Sequence, residues 1–170
     1  MALSLYDISV VPFIKSLKTL SSHVSTKLLA KGQAHFEDES KIINAKLIDD
    51  MGDLIYQIQR ASDAAKGLAV RVAGAESVAL EDNEKDFAAL YTRINRTIEI
   101  LEALPSTSTD GKEDTEVVLK LPSGDLKFTA KDYVLNFAVP NFYFHIVTAY
   151  NILRKEGVPV GKFDYLGRGN

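Results

Sequence analysis

Asn141, His145 and Thr148 follow one another at spacings of four and three, which puts all three side chains on one face of an α-helix. Their neighbours Phe137, Phe142, Phe144, Ile146 and Val147 are apolar. A polar stripe on so apolar a helix cannot all face water, and a buried polar group without a partner costs about 1–3 kcal/mol. The stripe must therefore meet polar groups of another helix or line a cavity. Within it His145 is the group suited to acid or base chemistry, because an imidazole ionises near neutrality. Asp53 and Gln57 share a face of a second helix, with Asp50 nearby, and Tyr6 and Asp7 lie near the chain start. The candidate site is thus His145 as catalytic acid or base, with Asn141, Gln57, Asp53, Thr148 and Tyr6 as ligand-binding groups. One reading is a small-molecule pocket between helices. The other is a satisfied buried network that fixes helix register.

Other chemistries find little support. There is no cysteine, so disulfides, thiolate nucleophiles and thiolate metal sites are excluded. The three histidines, His23, His35 and His145, contain no pair at helical chelate spacing, and no Glu-x-x-His motif is present. The expectation is no metal and no cofactor; the alternative is one divalent ion near His145 with Asp and Asn ligands. No G-x-S-x-G elbow, P-loop or G-x-G-x-x-G fingerprint is found, and Gly161-Lys162 and Gly167-Arg168-Gly169 are too short for phosphate loops. Lys162, Asp164 and Tyr165 can form a pocket rim or pin a tail to the surface. Tyr143 and Tyr150, seven apart, suit an interface or core edge.

The elements that must position these groups read as helices. Leu17, Leu20, Val24 and Leu28 form an apolar stripe in a first helix from about Leu3 to Lys31, interrupted or started by Pro12 and ended by Gly32. Gln33 to Ile43 reads as a polar connection. Asn44 is the expected N-cap of a second helix, about Ala45 to Ala73 and closed by Gly74. Its residues Leu47, Met51, Leu54, Ile58, Ala61, Ala65, Leu68 and Val72 make a heptad-like seam that packs at shallow angles. A third helix, about Asn83 to Leu104, repeats the pattern at Phe87, Leu90, Ile94, Thr97, Leu101 and Leu104, with Asp82 or Asn83 as cap and Pro105 as stop. Val117 to Leu121, Pro122-Ser123-Gly124 and Leu126 to Phe128 read as a hairpin. Thr129 or Asp132 opens a fourth helix that runs to Lys155 or Glu156 and ends at Gly157 and Pro159. The remaining tail, with Phe163, Tyr165 and Leu166, reads as irregular but docked.

The fold class expected is mainly α: a four-helix bundle with a small β-hairpin between helices 3 and 4, as a single domain over 1–170. The 170 residues, 46% hydrophobic and 25% charged, suit one globular core. A net charge of −3 argues against a nucleic-acid partner. Tyr133 to Leu153 is long and apolar, but Asn136, Pro140, Asn141, His145, Thr148 and Asn151 are unfavourable in lipid. It reads as the central helix of a soluble bundle, with no membrane partner. Met1 to Tyr6 lacks the pattern of a signal peptide, and a cytoplasmic location is expected.

The segment Val139 to Arg154, followed by Gly157 to Gly167, resembles a family known only as a domain of unknown function, a branch of the DinB/YfiT-like metalloenzyme superfamily. Ser4 to Phe13 and Asp50 to Gln57 are similar to it as well, so the resemblance covers nearly the whole chain. It implies a DinB-like four-helix bundle and a homodimer. It also implies, for many members, nickel or zinc held by one histidine on the second helix and an H-x-x-x-H pair on the fourth; some are thiol-dependent transferases. This chain departs from that pattern. Gln57 stands near the second-helix histidine position, Asn141-x-x-x-His145 carries one histidine, and Ala149 follows His145 where a second would be.

Three functions follow in order. The first is a metal-free bundle that binds a small molecule between helices 2 and 4, with His145 as the group for acid–base catalysis. The second is a metal-dependent transferase or hydrolase of the superfamily type. The third is a non-catalytic dimeric interaction protein.

Overall fold

A computed structural model describes residues 3–21 and 28–168. Four helices form the bundle: α2 (Val10–Leu20), α5 (Leu54–Leu68), α6 (Phe87–Glu102) and α8 (Val139–Lys155). Short helices α1 (Leu5–Ile8), α3 (Leu28–His35), α4 (Glu39–Ile43), α7 (Ala130–Asp132) and α9 (Lys162–Tyr165) connect or flank them. Helix α5 packs on both α6 and α8, and α2 closes the ring against α6 and α8. Among the described residues, no helix is long and apolar enough to cross a membrane.

The apolar seams face inward as the spacing predicts. Leu54, Ile58, Ala61, Ala65, Leu68 and Val72 are buried from one helix, and Phe87, Leu90, Ile94, Thr97, Leu101 and Leu104 from the next. Phe142 of α8 stacks on Phe13 of α2, ring centroids 3.9 Å apart. The hairpin is also present: β1 (Glu116–Leu119) pairs antiparallel with β2 (Leu126–Thr129). Val117 and Leu119 are buried, and the Phe128 ring lies 5.8 Å from those of both Tyr133 and Phe137. Packing against the bundle is what a two-stranded unit needs for stability.

Helix ends differ from the sequence reading in four places. The first long helix is not continuous. Ser4 and Asp7 form a capping box around α1, Ser9 separates it from α2, and Pro12 falls in the first turn of α2, where a missing N–H costs nothing. His23 and Val24 lie outside the described residues. The connection from Gln33 to Ile43 contains the end of α3 and all of α4, capped by Asp38. The second helix starts nine residues late by that reading, at Leu54, with Asp53 rather than Asn44 as its N-cap. Residues 45–53 close instead into a loop: Leu54 N donates to Ala45 O at 3.0 Å, and Lys46 bridges Asp53. The third helix is capped by Asp86, whose carboxylate accepts from Ala89 N at 2.7 Å, not by Asp82 or Asn83.

Asp82 instead joins an ion-pair cluster. Arg93 keeps 1% of its side chain exposed and binds Glu84 at 2.9 Å, Asp82 at 2.9 Å and Asp63 at 3.1 Å. It ties the segment before α6 to α5. Two π-helical segments continue the α-helices: Ala69–Ala73 after α5 and Tyr133–Ala138 before α8. From the second into α8, buried Val134, Ala138, Phe142 and Ile146 recur every four residues. A 3.6-residue turn would rotate such a row off the core, and the wider i→i+5 turn returns it. The two segments' surroundings meet where Arg71 donates to the buried Tyr133 hydroxyl at 3.2 Å.

Candidate binding site

The 45–53 loop positions the first group of the site. Asp53 caps α5 by accepting from Tyr56 N at 2.8 Å, and the loop lays the Gly52 carbonyl over the start of the helix. Gln57 Nε2 donates to that carbonyl at 2.9 Å. The amide nitrogen being committed there, Gln57 Oε1 faces α8 and lies 2.8 Å from His145 Nδ1. An amide oxygen only accepts, so Nδ1 carries the proton and the neutral ring keeps its lone pair on Nε2. Gln57 is 1% exposed and His145 9%. Nε2 has no hydrogen-bond partner among the described residues.

Burial, and secondarily the positive charge of Arg60, lower the His145 pKa to about 4. Removing an imidazolium from water is unfavourable, and a nearby cation adds to it. Two aromatic rings flank the imidazole edge-on: Tyr56 at 6.2 Å and Phe144 at 5.2 Å between centroids. Both are exposed at their outer faces, 45% and 56%. The Arg60 guanidinium lies over the Tyr56 ring at 5.4 Å and pairs with Asp63 and Asp82.

The other sequence candidates divide. Thr148 donates to Phe144 O of its own helix at 2.7 Å, which satisfies it locally. Asn141 is half-buried one turn before His145, and its side chain makes no hydrogen bond within the described residues. Asp53 is committed to capping. Tyr6 packs against the core, its backbone N–H donating to Thr109 Oγ1 at 3.0 Å, with no polar contact to His145. Tyr56 and Arg60 were missed by sequence reasoning; their i,i+4 spacing beside Gln57 was the available signal. Cavities of about 270, 370, 160 and 240 Å³ lie elsewhere; His145, Gln57 and Asn141 line none of these four.

The family model for "Domain of unknown function (DUF1993)" matches residues 5–166. The chain belongs to this family. It is also similar to a solved structure, the crystal structure of a DinB family member protein from Shewanella denitrificans. The two share 35% identity over 96% of this chain and 92% of that one, with a TM-score of 0.84. Comparison with curated proteins gave no match. The chain is therefore a DinB-like helical protein of a domain-of-unknown-function family.

The three-imidazole metal centre that the resemblance implies does not suit these residues. Gln57 Oε1 already accepts the Nδ1 proton across a direct 2.8 Å bond, while an ion held between two such ligands at about 2.0–2.2 Å each would hold them farther apart. Ala149 brings no donor. Among the described residues, no three His, Cys, Asp or Glu side chains are grouped so as to hold a metal ion. His35 sits at the end of α3 with its ring against Phe36.

Proposed function

We propose that this protein binds a small molecule at His145, between α5 and α8, without a metal ion. The observation that carries this reading is the chain of hydrogen bonds from Gly52 through Gln57 to His145. It fixes one tautomer and leaves one lone pair without a partner on a ring that is otherwise enclosed. With its pKa lowered to about 4, the ring is neutral at pH 7. Nε2 then serves as hydrogen-bond acceptor for a hydroxyl, thiol or amine, and as a base for a donor acidic enough to yield its proton. The exposed faces of Tyr56 and Phe144 suit an apolar or aromatic body beside that donor.

Phenol and its methyl ether, anisole, test the reading. Phenol should shift the His145 Nε2 resonance saturably in ¹⁵N spectra and anisole should not. A Nε2 signal unmoved by phenol, or moved equally by anisole, overturns it. The family resemblance extends the proposal to a homodimer, checked by sedimentation equilibrium, and the sequence extends it to a cytoplasmic location, checked by localising a tagged chain.

A further inference from the structure

We propose a second site: the cleft between α2, α8 and the terminal turn α9 binds a small organic oxyanion, a carboxylate or phosphate monoester with an apolar body. The cleft, of about 240 Å³, is lined by Pro12, Lys15, Ser16, Tyr143, Tyr165 and Leu166, with Thr19 at its edge. Its polar groups are unbalanced. The Lys15 ammonium has no ion pair or hydrogen bond among the described residues. Ser16 Oγ donates to the Tyr143 hydroxyl at 3.3 Å, so the Tyr143 hydrogen is left to point elsewhere. The Tyr165 hydroxyl has no hydrogen-bond partner within the described residues. Thr19 gives its hydrogen to Lys15 O at 2.9 Å.

One ammonium and two phenols therefore remain as donors, and no carboxylate lines the cleft. Asp164, next to Tyr165, is spent: Oδ1 binds Lys31 at 2.6 Å and Oδ2 accepts from Gly161 N at 2.6 Å. A surplus of donors with a positive charge is complementary to an oxyanion. Burial and the neighbouring Tyr143 raise the Tyr165 pKa, which keeps that phenol a donor at neutral pH. Pro12, Leu166 and the tyrosine rings supply the apolar wall. The volume is below that of a drug-sized pocket, so the ligand is about the size of a single substituted ring. The Lys31–Asp164 pair and the packing of Tyr165 on Tyr150, 5.8 Å between centroids, hold α9 in place. No lining residue is shared with the His145 site, so each proposal stands or falls separately.

Titration of the full chain with benzoate, phenyl phosphate and neutral benzyl alcohol, followed by amide NMR shifts, tests this. At least one anion should give saturable shifts at Lys15, Ser16 and Tyr165, the tighter of the two assigning the anion class, and benzyl alcohol should not. Lys15→Met, at an exposed position, should weaken anion binding about tenfold or more, and Tyr165→Phe severalfold. Absence of saturable shifts in the cleft, equal binding of benzyl alcohol, or unchanged affinity in Lys15→Met overturns the proposal.

Discussion

Gln57 and His145 stand 88 positions apart in sequence and 2.8 Å apart in space. Their bond joins α5 to α8 at a point where both side chains are almost wholly out of water. Replacing Gln57 by Leu leaves a buried Nδ1–H without its acceptor. Urea unfolding should show a loss of about 1–3 kcal/mol, and ¹⁵N spectra should show the ring losing its single tautomer.

The same bond sets a pH response. The folded His145 pKa is about 4, below its ordinary value of 6.5. A depressed folded value means that protons bind the unfolded chain more tightly. The associated stability is present above pH 6.5 and is lost as pH falls toward 4. Wild type should lose on the order of 2 kcal/mol more than His145→Asn over that window. Paired urea titrations across the range measure the difference, and parallel curves would contradict it.

A carboxylate opposite the ring should reverse the shift. In Gln57→Glu the new charge favours the imidazolium. An NMR titration should place the His145 pKa more than about one unit above that of wild type.

Arg93 offers a sharper stability test. It is enclosed with Glu84, whose side chain keeps 6% exposure. Arg93→Met strands that carboxylate and two aspartates, and should cost about 3–5 kcal/mol. The double variant with Glu84→Gln should recover part of the loss, read from chemical denaturation midpoints.

Asp53 and Asn44 separate the observed helix start from the one the sequence suggests. Asp53→Ala should destabilise by about 1 kcal/mol. Asn44 is exposed and its side chain, among the described residues, bonds only to Ser40 O, at 2.8 Å, so Asn44→Ala should change stability by less than about 0.5 kcal/mol. Thermal melts of the two variants decide between the caps.

The seams of α5 and α6, the hairpin and the Thr129 cap were legible because each rests on a local pattern. The start of α5 was not, because Leu47 and Met51 continue the apolar period through a loop. Periodicity cannot tell a helix turn from a loop that happens to place half-buried apolar residues four apart. The partnership of Gln57 with His145 could be suspected from residue type, since a buried imidazole needs a partner. The place of Tyr56 next to Gln57 was signalled in the sequence, but that its ring and that of Phe144 flank the imidazole was not, because this depends on how α5 and α8 cross.

The π-helical turns carry a consequence for chain length. A turn closed by i→i+5 bonds holds one residue more than its α counterpart without breaking the helix. Tyr133–Ala138 is thus a place where an insertion can hide inside an unbroken rod. Deleting one residue there would let an ordinary i→i+4 turn replace the wide one, and the flanking residues would keep their facing around the axis. The hairpin end of the bundle and the imidazole end would keep their relative placement, so chains of two lengths can share one core at this point.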